Sequence, residues 1–157
     1  MTPIHRIVCP IDFSPASANA LRVAIDYARA FKAEIHAVHA YQLSAYASPN
    51  SDLARDLELQ TRNEVEAFLS TIETFGVPVK MALRLGVPHL EIVEAARELN
   101  AELVVMGTTG KTGLQHLLLG SVAERVLRDA PCSVLVIKLP RVHPVADRPT
   151  VLAKSAM

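Results

Sequence analysis

The stretch Leu103-Val104-Val105-Met106-Gly107-Thr108-Thr109-Gly110-Lys111-Thr112-Gly113, continuing through residues 114–119 to Gly120-Ser121, decides how this chain is read. Residues 103–106 are unbroken in apolarity, the pattern of a strand covered on both faces. Beyond Gly120 the apolar positions Val122, Ala123, Val126 and Leu127 follow a helical stripe, which Pro131 ends. The segment between is therefore a strand-to-helix loop. Four of the six glycines lie from Gly107 to Gly120, and none precedes Gly76. Glycine lets another group approach the bare backbone. Glycines concentrated in such a loop indicate a phosphate site; the alternative is a long loop that needs flexible hinges.

The same reading extends in both directions. Residues 4–11 form a short apolar run, a first strand. Ser14 then suits a helix N-cap with Pro15 at the first helical position, and Leu21, Ala24, Ile25, Ala28 and Phe31 carry a helix over 15–31. Residues 34–41 are a second strand. After a polar loop at 42–51, Leu53, Leu57, Val65, Phe68, Leu69 and Ile72 mark a long helix ending at Gly76. Val79, Met81, Leu83 and Leu85 alternate with Lys80, Ala82 and Arg84, a half-exposed strand, and Pro78 suits a sheet edge. Gly86-Val87-Pro88 opens a third helix with Leu90, Val93, Ala96 and Leu99 inward. Residues 133–137 are the fifth strand.

Five strands alternating with four helices specify a three-layer α/β domain around a parallel sheet. Right-handed crossovers favour a doubly wound, Rossmann-like order 3-2-1-4-5. Strand five is then an edge, yet it is continuously apolar, and such an edge invites another chain. A homodimer through Val134, Leu135, Val136 and Ile137 is expected. Residues 1–138 make one domain; residues 139–157, with Pro140, Pro144 and Pro149, form a tail without periodicity.

Composition bounds the function. Of 157 residues, 16 are Lys or Arg and 16 are Asp or Glu. Zero net charge gives no electrostatic footprint for nucleic acid or an anionic membrane. No apolar stretch approaches the roughly 20 residues of a membrane span, and no secretory h-region precedes the first strand. Cytoplasm is the expected compartment. The two cysteines, Cys9 and Cys132, read as buried reduced thiols.

In a doubly wound sheet ligands bind at the carboxyl ends of strands one and four, where the order reverses. Pro10-Ile11-Asp12 and Met106-Gly107 flank that crevice, and Gly120-Ser121 opens a helix whose free N–H groups and dipole favour an anion. Asp12 can accept from a ribose or an adenine amino group, or serve as a turn residue before the helix. Two known phosphate signatures fail. A P-loop ending in Gly110-Lys111-Thr112 needs a glycine where Val105 stands, and no GxGxxG follows strand one.

Gly107-x2-Gly110-x9-Gly120-Ser121 resembles the nucleotide loop of the universal stress protein family, in its ATP-binding branch. Ile7-Val8-Cys9-Pro10-Ile11-Asp12-Phe13-Ser14 is similar to that family's first strand, and Pro131-Cys132-Ser133-Val134-Leu135-Val136 to its last. The resemblance covers residues 4–138. It implies the same fold, a dimer through the last strand, and ATP in the crevice. By position, it sets Pro10 and Asp12 against the nucleoside, the Ala40 backbone near the adenine, and Met106 and Gly107 beside the ribose. Gly110, Gly120, Ser121 and Val122 would cradle the phosphates, and Gly113 is an ordinary loop glycine. Mg2+ would ride with the triphosphate, held by phosphate oxygens and water. Thr109 departs from the pattern, since many members carry a basic or larger polar side chain there; Lys111 either compensates or is solvated.

His36 and His39, three apart on a strand, point to opposite faces, and His39 reads as packed and hydrogen-bonded. His116 has no recognisable group to orient it as a base. The leading expectation is a regulatory nucleotide-binding protein with slow or no hydrolysis. The alternatives are a slow ATPase or nucleotide-transferring enzyme, with Ser121 as nucleophile instead of phosphate ligand, and an interaction module without nucleotide.

Overall fold

The computed structural model of the protein describes residues 3–44, 47–108 and 119–139. Its elements are β1 (Arg6–Pro10), α1 (Pro15–Phe31), β2 (Glu34–Tyr41), α2 (Asp52–Ser70), β3 (Val79–Leu85), α3 (Pro88–Glu98), β4 (Leu103–Gly107), α4 (Ser121–Asp129) and β5 (Ser133–Ile137). The five strands form one sheet in the order β3-β2-β1-β4-β5, with every pairing parallel. This is the expected doubly wound α/β fold.

Alternation along the central strands sends residues to two apolar layers. Ile7, Cys9, Ile35, Leu103 and Val105 pack beneath α1, which presents Ala20, Leu21, Ala24, Ile25 and Ala28. Val8, Val38, Val104 and Met106 pack against α3 and α4 through Ile92, Val93, Ala95, Ala96, Ala123 and Val126. α2 covers Ile11 and Ala37 through Val65. Burial pushes the Cys9 thiol up to about 12, so this sulfur is inert.

α1 starts where its sequence says: the Ser14 hydroxyl accepts from the Ser17 amide, Pro15 follows, and Lys32 closes the helix in the left-handed region. α2 ends at Ser70, short of Gly76. The Ser70 and Thr71 hydroxyls donate to the carbonyls of Ala67 and Phe68, which draws the last turn away from helical bonding. Individual faces also differ. Leu53, Leu90 and Leu127 point outward, 63%, 56% and 44% exposed. The inward stripe of α3 is Ile92, Val93, Ala95 and Ala96, whose alanines let the helix lie close to its neighbours. β1 is shorter than the apolar run suggests, since Ile4 and Ile11 fall outside its pairing.

β3 is an edge, and its polar residues are answered by ion pairs: Lys80 Nζ lies 2.6 Å from Glu34 Oε2, and Arg84 pairs with Glu98. β5, the other edge, has Val134, Leu135, Val136 and Ile137 all half-buried in the protomer.

β1 and β4 pair through only two positions, Ile7 with Leu103 and Val8 with Val104. Their amino ends are fastened by one side chain. Glu102 accepts from the amides of His5 (3.0 Å) and Arg6 (2.8 Å) and from the Arg6 guanidinium (3.1 Å). Burial of the Glu102 carboxyl opposes its ionisation, yet those donors together hold it below the ordinary glutamate range. A depressed carboxyl stabilises the fold above its unfolded value of about 4.3. That contribution is lost as pH falls through the folded value. Glu102→Gln is expected to cost about 1–2 kcal/mol at neutral pH and to flatten the loss of stability on acidification. Urea denaturation at neutral and acidic pH checks this; parallel pH curves for the two proteins would rule it out.

Candidate functional site

Past Val8 and Val104 the central strands separate. Pro10 has no N–H to offer, and the Ile11 amide turns to β2, donating to the Val38 carbonyl at 2.9 Å. β4 meanwhile stays with β5 as far as the Gly107–Ile137 pair. A cavity of about 320 Å3 opens between them at the carboxyl end of the sheet, within the range of small-molecule sites.

Pro10 and Asp12 form one wall of this cavity, Met106 and Gly107 the opposite wall, and Ala40 the end of β2 beside them. Gly120, Ser121 and Val122 enter from the start of α4. Gly110 lies outside the described residues, as do Thr109, Lys111, Gly113, His116 and the chain from residue 140. Eight of the nine expected site residues therefore share one cavity. Val38, Ile92, Ser17 and Thr108 also line it. Val38 and Thr108 were within reach of sequence reasoning, as positions at the carboxyl ends of strands. Ile92 was not, because only the docking of α3 against the sheet carries it there.

The α4 end of the cavity is a set of donors. Gly120 is the N-cap and, as a glycine, brings no side chain to cap the helix. The backbone of Gly120 has φ −73° and ψ 155°, values any residue adopts. What glycine contributes here is a missing side chain where the first turn of α4 lines the cavity. The Gly120 amide donates to the Thr108 carbonyl at 2.6 Å, and the Thr108 amide to the Ile137 carbonyl at 3.0 Å. The neck of the glycine loop is thus tied to itself and to β5.

Gly107 answers to a different neighbour. A Cβ built there would stand 2.9 Å from the Ala16 Cβ and 3.0 Å from the Ala16 carbonyl carbon. The end of β4 lies directly on the first turn of α1. Asp12 reaches the same turn: its Oδ1 accepts from the Ser14 amide (3.1 Å) and from the Ser14 hydroxyl (2.5 Å). Asp12 is therefore both a turn residue and a cavity wall.

His39 Nδ1 lies 2.8 Å from the Ile11 carbonyl oxygen, and its ring packs on Phe13 with centroids 4.5 Å apart. His36, on the opposite face, pairs with Glu34 through Nε2 at 2.8 Å. Among the described residues no three His, Cys, Asp or Glu side chains converge as a metal site. A wider depression of about 880 Å3 lies at the other end of the sheet, beside Arg29, Lys32 and Phe75. Arg29 and Lys32 belong to the carboxyl end of α1, where the helix dipole already calls for cations.

The profile of the universal stress protein family matches residues 3–138. The chain belongs to that family. Universal stress protein MJ0531 of Methanocaldococcus jannaschii is 42% identical over 141 residues, 87% of this chain and 83% of that protein. The solved structure of MJ0577, from the same organism, superposes with a TM-score of 0.73 at 30% identity, over 88% of this chain and 99% of the other. A universal stress protein from Archaeoglobus fulgidus in complex with dAMP shares the fold at 23% identity, TM-score 0.64, over 88% of this chain and 100% of that one.

Gly107→Ala is expected to destabilise this universal stress protein by about 1–3 kcal/mol, the range for overpacking a tight contact. Ala16→Gly in the same chain should restore part of the loss. Chemical denaturation of the two single variants and the double variant checks this; simply additive losses would remove the contact as the reason for glycine.

Proposed function

We propose that this universal stress protein is a cytoplasmic, homodimeric regulatory protein that binds ATP, with Mg2+, in the β1–β4 crevice and hydrolyses it slowly or not at all. One observation carries the reading. The amino end of α4, with no side chain at its N-cap Gly120, lines the same crevice as Asp12. Amide donors at one end suit phosphates, and a carboxylate at the other suits a ribose hydroxyl or an amino group. Between them Val38, Ala40, Ile92 and Met106 supply an apolar bed for a base. Gly110 would complete the cradle from the loop. The Archaeoglobus protein of this fold holds dAMP, an adenine nucleotide; that likeness is one of fold, so the argument for this chain rests on its own crevice. Mg2+ would be held by the triphosphate and water. No helix among the described residues is long and apolar enough to cross a membrane.

Denaturing the purified protein and analysing the supernatant for nucleotide tests occupancy directly. Melting scans with ATP, ADP and AMP, with and without magnesium, test preference. ATP at 100 times its dissociation constant should stabilise by about 2.7 kcal/mol. Gly120→Val should abolish the shift while leaving the nucleotide-free protein folded, since the backbone there is ordinary. A variant that shifts like wild type would remove the assigned cradle. Steady turnover above about 1 per second would make the protein an enzyme instead.

The half-buried apolar edge of β5 supports the dimer, since Val134, Leu135, Val136 and Ile137 would gain cover from another chain. Light scattering at micromolar concentration should give twice the 17.0 kDa of one chain. A monomeric mass would overturn this assignment.

A further inference from the structure

We propose that His39 and Phe13 are positioning residues for Asp12: together they brace the turn between β1 and α1 so that the Asp12 carboxylate faces the crevice. The proposal rests on the nucleotide reading above and adds residues that do not themselves line the cavity.

Phe13 has φ 66°. A bulky residue in the left-handed region is strained by about 1–2 kcal/mol and stays there only when its surroundings demand it. The Phe13 ring packs on His39, tilted by 36° with centroids 4.5 Å apart, and meets Phe68 edge-on at 5.6 Å. On the other side of Asp12, the Ile11 amide is bonded to Val38 and the Ile11 carbonyl to His39 Nδ1. A carbonyl only accepts, so Nδ1 carries the hydrogen, an assignment made from the acceptor. One imidazole therefore holds the residue before Asp12 through its nitrogen and the residue after it through its ring face. Asp12 sits between two fixed points, and its Oδ1 is oriented by the Ser14 amide and hydroxyl. Without the brace the left-handed Phe13 has less to hold it, and the turn can relax to a shape that withdraws the carboxylate.

The amide nitrogen of asparagine can occupy the place of histidine Nδ1, whereas that of glutamine falls nearer Nε2. His39→Asn and His39→Gln are thus close in polarity and differ in whether a donor reaches Ile11. ATP binding by calorimetry is expected to stay within about twofold of wild type in His39→Asn and to weaken about tenfold in His39→Gln. Asp12→Ala should weaken it as well, and the double variant Asp12→Ala/His39→Gln no further than Asp12→Ala alone, because His39 acts through Asp12. Should glutamine at 39 fail to fold, Phe13→Leu removes the stack and should weaken binding in the same direction.

Amide hydrogen exchange in the nucleotide-free protein reads the brace separately. Exchange at Asp12 and Ser14 should speed up in His39→Gln and recover in His39→Asn. Equal affinities and unchanged exchange in His39→Gln, or fully additive losses in the double variant, would overturn the proposal. If wild type takes up no ATP while His39→Gln still loosens those amides, the nucleotide reading has failed and the brace stands.

Discussion

β1 and β4 are in register through two residue pairs, Ile7 with Leu103 and Val8 with Val104, and the carboxyl end of the sheet is organised by their parting. A parallel sheet is a row of hydrogen-bond partners, and a strand leaves a neighbour only if its backbone groups find others. Pro10 lacks the donor. The Ile11 amide and carbonyl go to Val38 and His39. On the other side, β4 holds to β5 through five pairs and Thr108 continues to Ile137. Past this point β1 follows β2 and β4 follows β5, so the gap opens between two strands each held by its outer neighbour. At the opposite end Glu102 bonds β1 and β4 together. The central seam is closed at one end and open at the other, and helices cover both faces of it. A ligand approaching the sheet meets apolar side chains at the sides and backbone donors at the end.

Much of this was legible in the sequence, for reasons that are local. Val104 and Val105 are fully buried because they belong to a continuous apolar run with layers on both sides. On β3 the period of two holds only in part: Lys80 is exposed, but Arg84 is half-buried against Glu98, Ala82 packs on the core and Leu85 is exposed. The crevice could be located because a doubly wound order permits one reversal point, and Asp12, Met106 and Gly120 all fall at strand or helix ends beside it. None of this required knowing which atoms touch.

The parts that were not legible depend on contacts across long stretches of chain. Leu90 looks inward by periodicity and points outward, because the stripe that docks is set by where Ala95 and Ala96 allow α3 to settle. The last residues of α2 carry apolar side chains at helical spacing, but the Ser70 and Thr71 hydroxyls bond to the preceding turn and end it early. Phe13 in the left-handed region has no sequence signal, since glycine or asparagine is the usual occupant. Gly107 was legible as special and not for its reason. Its Cβ-free face is needed by Ala16, ninety-one positions earlier in the chain, and nothing in a local motif points there.

That last contact bears on what the crevice can transmit. The first turn of α1 touches both walls. Ala16 packs on Gly107, Ser14 holds the Asp12 carboxylate, and the Ser17 hydroxyl lies 3.4 Å from the Asp12 amide. Close-packed contacts of this kind do not deform gradually. If the distance between Asp12 and Gly107 changes when a ligand enters, α1 must move with one wall or lose its fit to the other. The same helix continues along the sheet to Lys32, at the far end of the molecule, so a displacement at its first turn is carried as a rigid element. α1 is therefore an element through which a change at the crevice would reach another part of the surface.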